Sequence, residues 1–161
     1  MIEETKMKSK ETPKEISRRH VILLVGAAAA AAGMLPRVSL ADKAATDAAI
    51  KAVGGDGAEM SGITLDLPQI AENGSTVSVG VEVASPMTAD NYVKTVYIFA
   101  EGNPNPDVCT LHFTPAGGIA RAYTRIRLAK TQNVIALAEM SDGSFKRETV
   151  EVKVTIGGCG G

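Results

Sequence analysis

From residue 62 onward the chain alternates apolar and polar positions. Ile63, Leu65 and Leu67 interleave with Thr64 and Asp66, and Val77, Val79, Val81 and Val83 interleave with Ser78, Gly80 and Glu82. Cys109, Leu111 and Phe113 share one parity. Ala120, Ala122, Thr124, Ile126 and Leu128 oppose Arg121, Tyr123, Arg125 and Arg127, and Val134, Ala136, Ala138 and Met140 follow. The last run sets Val150, Val152, Val154 and Ile156 against Thr149, Glu151, Lys153 and Thr155. Successive side chains of a strand point to opposite faces, so each run predicts a strand with one buried face. Residues 91–99 are apolar on both parities (Val93, Val96, Tyr97, Ile98, Phe99), which predicts a central strand or one covered by a partner. The breaks fall at Pro68, Asn73-Gly74, Ser85-Pro86, the proline-stiffened loop 102–107, residues 114–118 and the turn Ser141-Asp142-Gly143-Ser144.

About seven short strands with regular turns predict an all-β fold, an immunoglobulin-like antiparallel β-sandwich. The chain has no Trp, so the Cys–Trp–Cys core of antibody domains is missing. Residues 42–53 differ in kind. They are Ala-rich, open on Asp42 and stop at Gly54-Gly55, which predicts a short N-terminal helix with Ala45, Ala48, Ala49 and Ala52 on a weakly apolar face.

The first 41 residues read as an export signal. A charged stretch leads to Arg18-Arg19, then to an apolar run over 21–35, then to Ser39 and Ala41 as the small residues of a cleavage site. The paired arginines resemble a twin-arginine signal, which directs a protein to the periplasm. The apolar run is shorter than the ~20 residues a spanning helix needs, so no membrane association is expected after cleavage. The organisation is therefore 1–41 signal peptide, 42–156 helix and sandwich, and 157–161 a Gly-Gly-Cys-Gly-Gly arm.

Charge adds little. The 17 basic and 18 acidic residues nearly balance. With seven of the former and four of the latter in the leader, the remainder is formally −4. No P-loop, zinc finger or RNA-binding aromatic signature is present, so no nucleic acid is implied. His112 is the one histidine past the leader, and neither a Ser-His-Asp set nor a metal-ligand cluster can be assembled around it. No metal and no cofactor are expected, and the chain reads as no enzyme.

Two cysteines carry the candidate chemistry. Cys159 is flanked by Gly157, Gly158, Gly160 and Gly161. With neither apolar neighbours nor a second ligand nearby, it reads as a thiol on a mobile arm for insertion into a partner's site. An unperturbed thiol titrates near ~8.5 and nothing adjacent lowers that, so activation falls to the partner. Cys109, beside Leu111 and Phe113, reads as a small core hydrophobe. A Cys109–Cys159 disulfide is the rival reading, and it would pin the arm. The Arg121, Arg125 and Arg127 stripe reads as a solvated sheet face or as a surface for an acidic partner.

The ending Val152-Lys153-Val154-Thr155-Ile156-Gly157-Gly158-Cys159-Gly160-Gly161 resembles the C-terminus of the SoxY family, the sulfur-substrate carriers of the periplasmic Sox thiosulfate-oxidising system. Leu111-His112-Phe113-Thr114-Pro115, Thr124-Arg125-Ile126-Arg127-Leu128 and residues 138–145 agree with it. The resemblance implies that Cys159 covalently holds thiosulfate-derived intermediates and that the four arm glycines let them enter each active site. It implies SoxZ as heterodimer partner, and the doubly apolar residues 91–99 are the stretch expected to form part of that interface. It also implies transient contacts with the haem protein SoxXA, with SoxB and, in some organisms, with a sulfane dehydrogenase. Two alternatives remain beside it. One is a structural module dimerising through a Cys159 disulfide. The other is a carrier activated at its terminal Gly-Gly carboxylate, which would need ATP and a long central helix.

Overall fold

A computed structural model describes residues 40–158, which form one compact unit. The signal residues Arg18 and Arg19, and Cys159, Gly160 and Gly161 of the arm, lie outside the described residues.

Among the described residues one α-helix and eight strands follow in order: α1 (Leu40–Ala52), β1 (Ile63–Asp66), β2 (Ile70–Asn73), β3 (Val77–Val83), β4 (Val93–Ala100), β5 (Asp107–His112), β6 (Ala120–Ile126), β7 (Gln132–Met140) and β8 (Phe145–Ile156). They form a three-stranded sheet, β1-β3-β6, and a five-stranded sheet, β2-β8-β7-β4-β5. The expected sandwich is therefore present. Its core is built from the inward parities of both sheets: Val77, Val79, Val81 and Val83 from the small sheet, and Val96, Ile98, Val134, Ala136 and Val152 from the large one. Such a core is the main favourable contribution to folding, at about 25 cal/mol per Å² of apolar surface removed from water.

Two elements differ from the sequence reading. β8 starts at Phe145, five residues before the clean alternation begins. β2 lies between the breaks at Pro68 and Asn73-Gly74, where the pattern predicts no strand, yet it forms an edge strand that pairs with β8 in parallel, with Ile70 opposite Lys153 and Asn73 opposite Ile156. All other strand pairs are antiparallel.

The helix explains the doubly apolar β4. Ile50 packs with Phe99, Ile135 and Leu137 on the outer face of the large sheet, with Tyr97 and Phe145 beside them. The outer parity of β4 is thus covered by this chain's own helix, which corrects its assignment to a partner interface. Of the expected alanine face only Ala49 packs toward the sheet. Thr46 and Ile50 are 0% and 2% exposed, while Ala45, Ala48 and Ala52 face solvent. At its C-terminus Gly55 N–H donates to Ile50 C=O at 3.0 Å and Gly54 N–H to Lys51 C=O at 3.0 Å. With Gly54 at φ +87, this is the Schellman stop that only glycine adopts without cost. Among the described residues no helix is long and apolar enough to cross a membrane.

Candidate functional site

β8 is the longest strand, at 12 residues, and it delivers the chain to the candidate thiol. Past its last ladder pair the backbone does not come loose. Gly74, just after β2, donates its N–H to Ile156 C=O at 2.7 Å and accepts at its own C=O from Leu128 N–H at 2.8 Å. Leu128 C=O in turn accepts from Gly158 N–H at 2.9 Å. Three separate segments are thereby joined end to end: the β2–β3 turn, the β6–β7 loop and the exit of β8. Val154 N–H is further held by Thr131 Oγ1 at 2.9 Å.

The approach of these backbones leaves no room for side chains. A Cβ on Gly74 would sit 2.2 Å from Leu128 O and 2.8 Å from Gly158 N. One on Gly157 would sit 2.2 Å from Ala129 O, and one on Gly158 2.7 Å from Gly74 O. Of Gly157 and Gly158, the expected first links of a mobile arm, Gly158 is buried at the end of the domain and Gly157, though exposed, lies against the Ala129 backbone. Their glycine identity serves close approach. Gly74 is the residue the sequence reading missed. The Asn73-Gly74 pair was visible as a turn signal, but the strand exit it packs against is 84 positions away in the chain.

The β6–β7 loop is itself held from behind. Asn103 and Gln132 are buried, and Gln132 Nε2 donates to Asn103 Oδ1 at 3.0 Å. Asn103 Nδ2 donates to Arg127 C=O at 2.8 Å, and its Oδ1 accepts from Ala129 N–H at 2.9 Å. Gly102 N–H donates to Gln132 Oε1 at 2.6 Å. The loop 102–107 was expected to be stiff because of its prolines. It is also tied by these amides to the loop that receives Gly158.

The second cysteine sits elsewhere. Cys109 lies on β5 opposite Ile98 and packs half-buried against the core, as its parity predicts. Among the described residues it is a free thiol. Burial, and secondarily the Asp107 carboxylate, push its pKa up, so it is protonated and a poor nucleophile at neutral pH. His112 is exposed at the end of the same strand, with Nδ1 3.4 Å from Thr95 Oγ1.

Arg121 and Arg125 of the arginine stripe occupy the solvent parity of β6, and Arg127 lies just past its end. Arg121 pairs with Glu82 across to β3, Nε to Oε2 at 2.9 Å. Tyr123 is 71% exposed and lies over Gly80, its cross-strand partner. Asp66, Glu72, Asn73, Thr76, Tyr123 and Arg125 line an open groove of about 1090 Å³. Two carboxylates and one guanidinium give it no clear preference for anions. Among the described residues no three His, Cys, Asp or Glu side chains cluster as metal ligands.

Comparison with known proteins gives the chain its relatives. No curated protein matches it. Among solved structures, the sulfur carrier protein SoxY from Chlorobium limicola f thiosulfatophilum is 32% identical, with 70% of this chain and 98% of that one covered at a TM-score of 0.58. A superoxide reductase (neelaredoxin) from Ignicoccus hospitalis covers 66% of this chain and 86% of its own at 21% identity and a TM-score of 0.52. At that identity the likeness shows a shared fold alone. The family model described as sulfur oxidation protein SoxY matches residues 49–159, a span that ends on Cys159. The chain belongs to the SoxY family.

Proposed function

We propose that the chain is a periplasmic sulfur carrier, exported by the twin-arginine route, that holds thiosulfate-derived groups on the thiol of Cys159. The observation that carries this reading is the family match running to residue 159, at the exit of a strand whose root is held by the domain. The raised pKa and half-burial of Cys109 support Cys159 as the reacting thiol.

The chemistry follows from a thiol and thiosulfate. The Cys159 thiolate forms an S–S bond to the outer sulfur of thiosulfate, giving a Cys–S–S–SO3⁻ adduct and releasing two electrons. An oxidising haem partner of the SoxXA kind accepts them. Water then attacks the terminal sulfur in a hydrolase of the SoxB kind, giving sulfate, protons and a persulfide left on Cys159. A sulfane dehydrogenase, where present, oxidises that remaining sulfur. The chain itself supplies the attachment point and its presentation, and it works as a heterodimer with a SoxZ chain.

Mass spectrometry of the protein from thiosulfate-grown cells tests this. Sulfur adducts are expected on the peptide bearing Cys159 and are expected to vanish in Cys159→Ser. A bare thiol under all conditions, or a disulfide dimer with no adduct on non-reducing gels, overturns it.

A further inference from the structure

We propose that Gly74 is a positioning residue for Cys159: its missing side chain lets a backbone latch hold the chain up to Gly158, so that the thiol leaves the domain one residue beyond a fixed point. This rests on the carrier reading and deepens it.

Four observations carry the inference. The latch is a chain of three backbone hydrogen bonds, Gly74 to Ile156, Leu128 to Gly74 and Gly158 to Leu128, of 2.7, 2.8 and 2.9 Å. Its first bond closes the last β2–β8 ladder pair, Asn73 with Ile156, and the other two carry the hold beyond the sheet to Gly158. Every residue but proline can make these bonds, but only glycine lets the three backbones meet, since a Cβ on Gly74 would overlap Leu128 O at 2.2 Å. None of Gly74, Gly157 and Gly158 has a left-handed backbone, so their requirement is for space and not for a special dihedral. Leu128, which both accepts and donates in the latch, is fully buried and serves as the fixed post.

The consequence is geometric. Each extended residue advances at most ~3.6 Å. A chain free from residue 157 would swing the thiol through a wider arc than one held to Gly158, whose freedom begins only one residue before Cys159. Reaction with a partner's bound sulfur depends on such alignment, because a misplacement of about 1 Å can cost on the order of a hundredfold.

The test uses the full chain as purified from its host, with whatever partner chain accompanies it. In the wild type the Gly158 amide should exchange with deuterium at least about tenfold more slowly than an unstructured glycine, and Gly74→Ala should abolish that protection. Enzyme-dependent loading of Cys159 from thiosulfate should fall by on the order of tenfold or more in kcat/KM. Reaction of the same thiol with methyl methanethiosulfonate, which needs no aligned partner, should stay within about twofold. Gly157→Ala strikes Ala129 from the other side of the latch and should act alike, which guards against a folding defect peculiar to Gly74. A Gly158 amide unprotected in the wild type overturns the proposal, as does wild-type loading in variants that have lost the protection. A wild-type chain that partner enzymes never load overturns the carrier reading, and the positioning role with it, while the Gly158 exchange rates still report whether the latch exists.

Discussion

Gln132 Nε2 donates to Asn103 Oδ1 at 3.0 Å in a site where the two residues are 7% and 2% exposed. Asn103 reaches further, to Arg127 C=O and Ala129 N–H, so one amide group secures the loop that anchors the end of the chain. Asn103→Ala should therefore cost about 2–4 kcal/mol, because it leaves buried backbone and amide groups unpaired. Urea denaturation should show a lower midpoint with an unchanged slope. Loss of Gly158 amide protection should accompany it.

Ile50→Ala removes the main apolar anchor of α1 from the surface formed by Phe99, Ile135 and Leu137. A loss of about 2–4 kcal/mol is expected. The β-sandwich core, which the helix does not enter, should keep its amide protection while that of the helix collapses. A cooperative loss of both together would show that the helix is integral to the sandwich.

Cys109 makes a prediction about alkaline pH. Its pKa is raised in the folded protein, first by burial and then by Asp107, so the folded state binds this proton more tightly than the unfolded state does. The contribution to stability is fully present below the unfolded-state pKa of about 8.5 and is lost as pH rises through the folded-state value. Maleimide labelling of Cys109 in the native chain should be slow at pH 7 and accelerate only above that range. Cys109→Ala should flatten the alkaline arm of the stability profile. In unfolded, non-reduced monomer, Cys109 should titrate as a free thiol.

Arg121 and Glu82 form a cross-strand ion pair in which both side chains are over 40% exposed. Water and salt screen such a pair, so Arg121→Ala should change stability by less than about 1 kcal/mol. If a thermal melt shows a larger loss, the stripe is packed against something beyond this chain.

Most of the sandwich was legible because alternation is a local signal. The valines of β3, and Val152 and Val154 of β8, point inward as their parity predicts, while Ile156 at the end of the same run is exposed. β2 was hidden because Ile70-Ala71-Glu72-Asn73 buries Ala71 alone, and its partner strand lies far off in sequence. The helix was visible, but its buried face was not. Alanine spacing favoured Ala45 and Ala48, whereas the sheet beneath selects Thr46 and Ile50 for size and fit. The attachment residue was visible from its glycine setting and from resemblance. The three-way junction behind it was not, since no residue in it carries a distinctive chemical group.

That last point bears on how such a site would be found by mutation. A scan that replaces each residue with alanine looks for the loss of a functional group, and Leu128 and Ala129 join the junction through their main chains, which alanine retains; truncating the buried Leu128 side chain would report on core packing instead. At Gly74, Gly157 and Gly158 the same replacement adds volume, and these are the positions where a defect of the junction itself is expected. The junction is thus encoded by what is missing from its side chains, and a screen that discounts glycine as filler would pass over it.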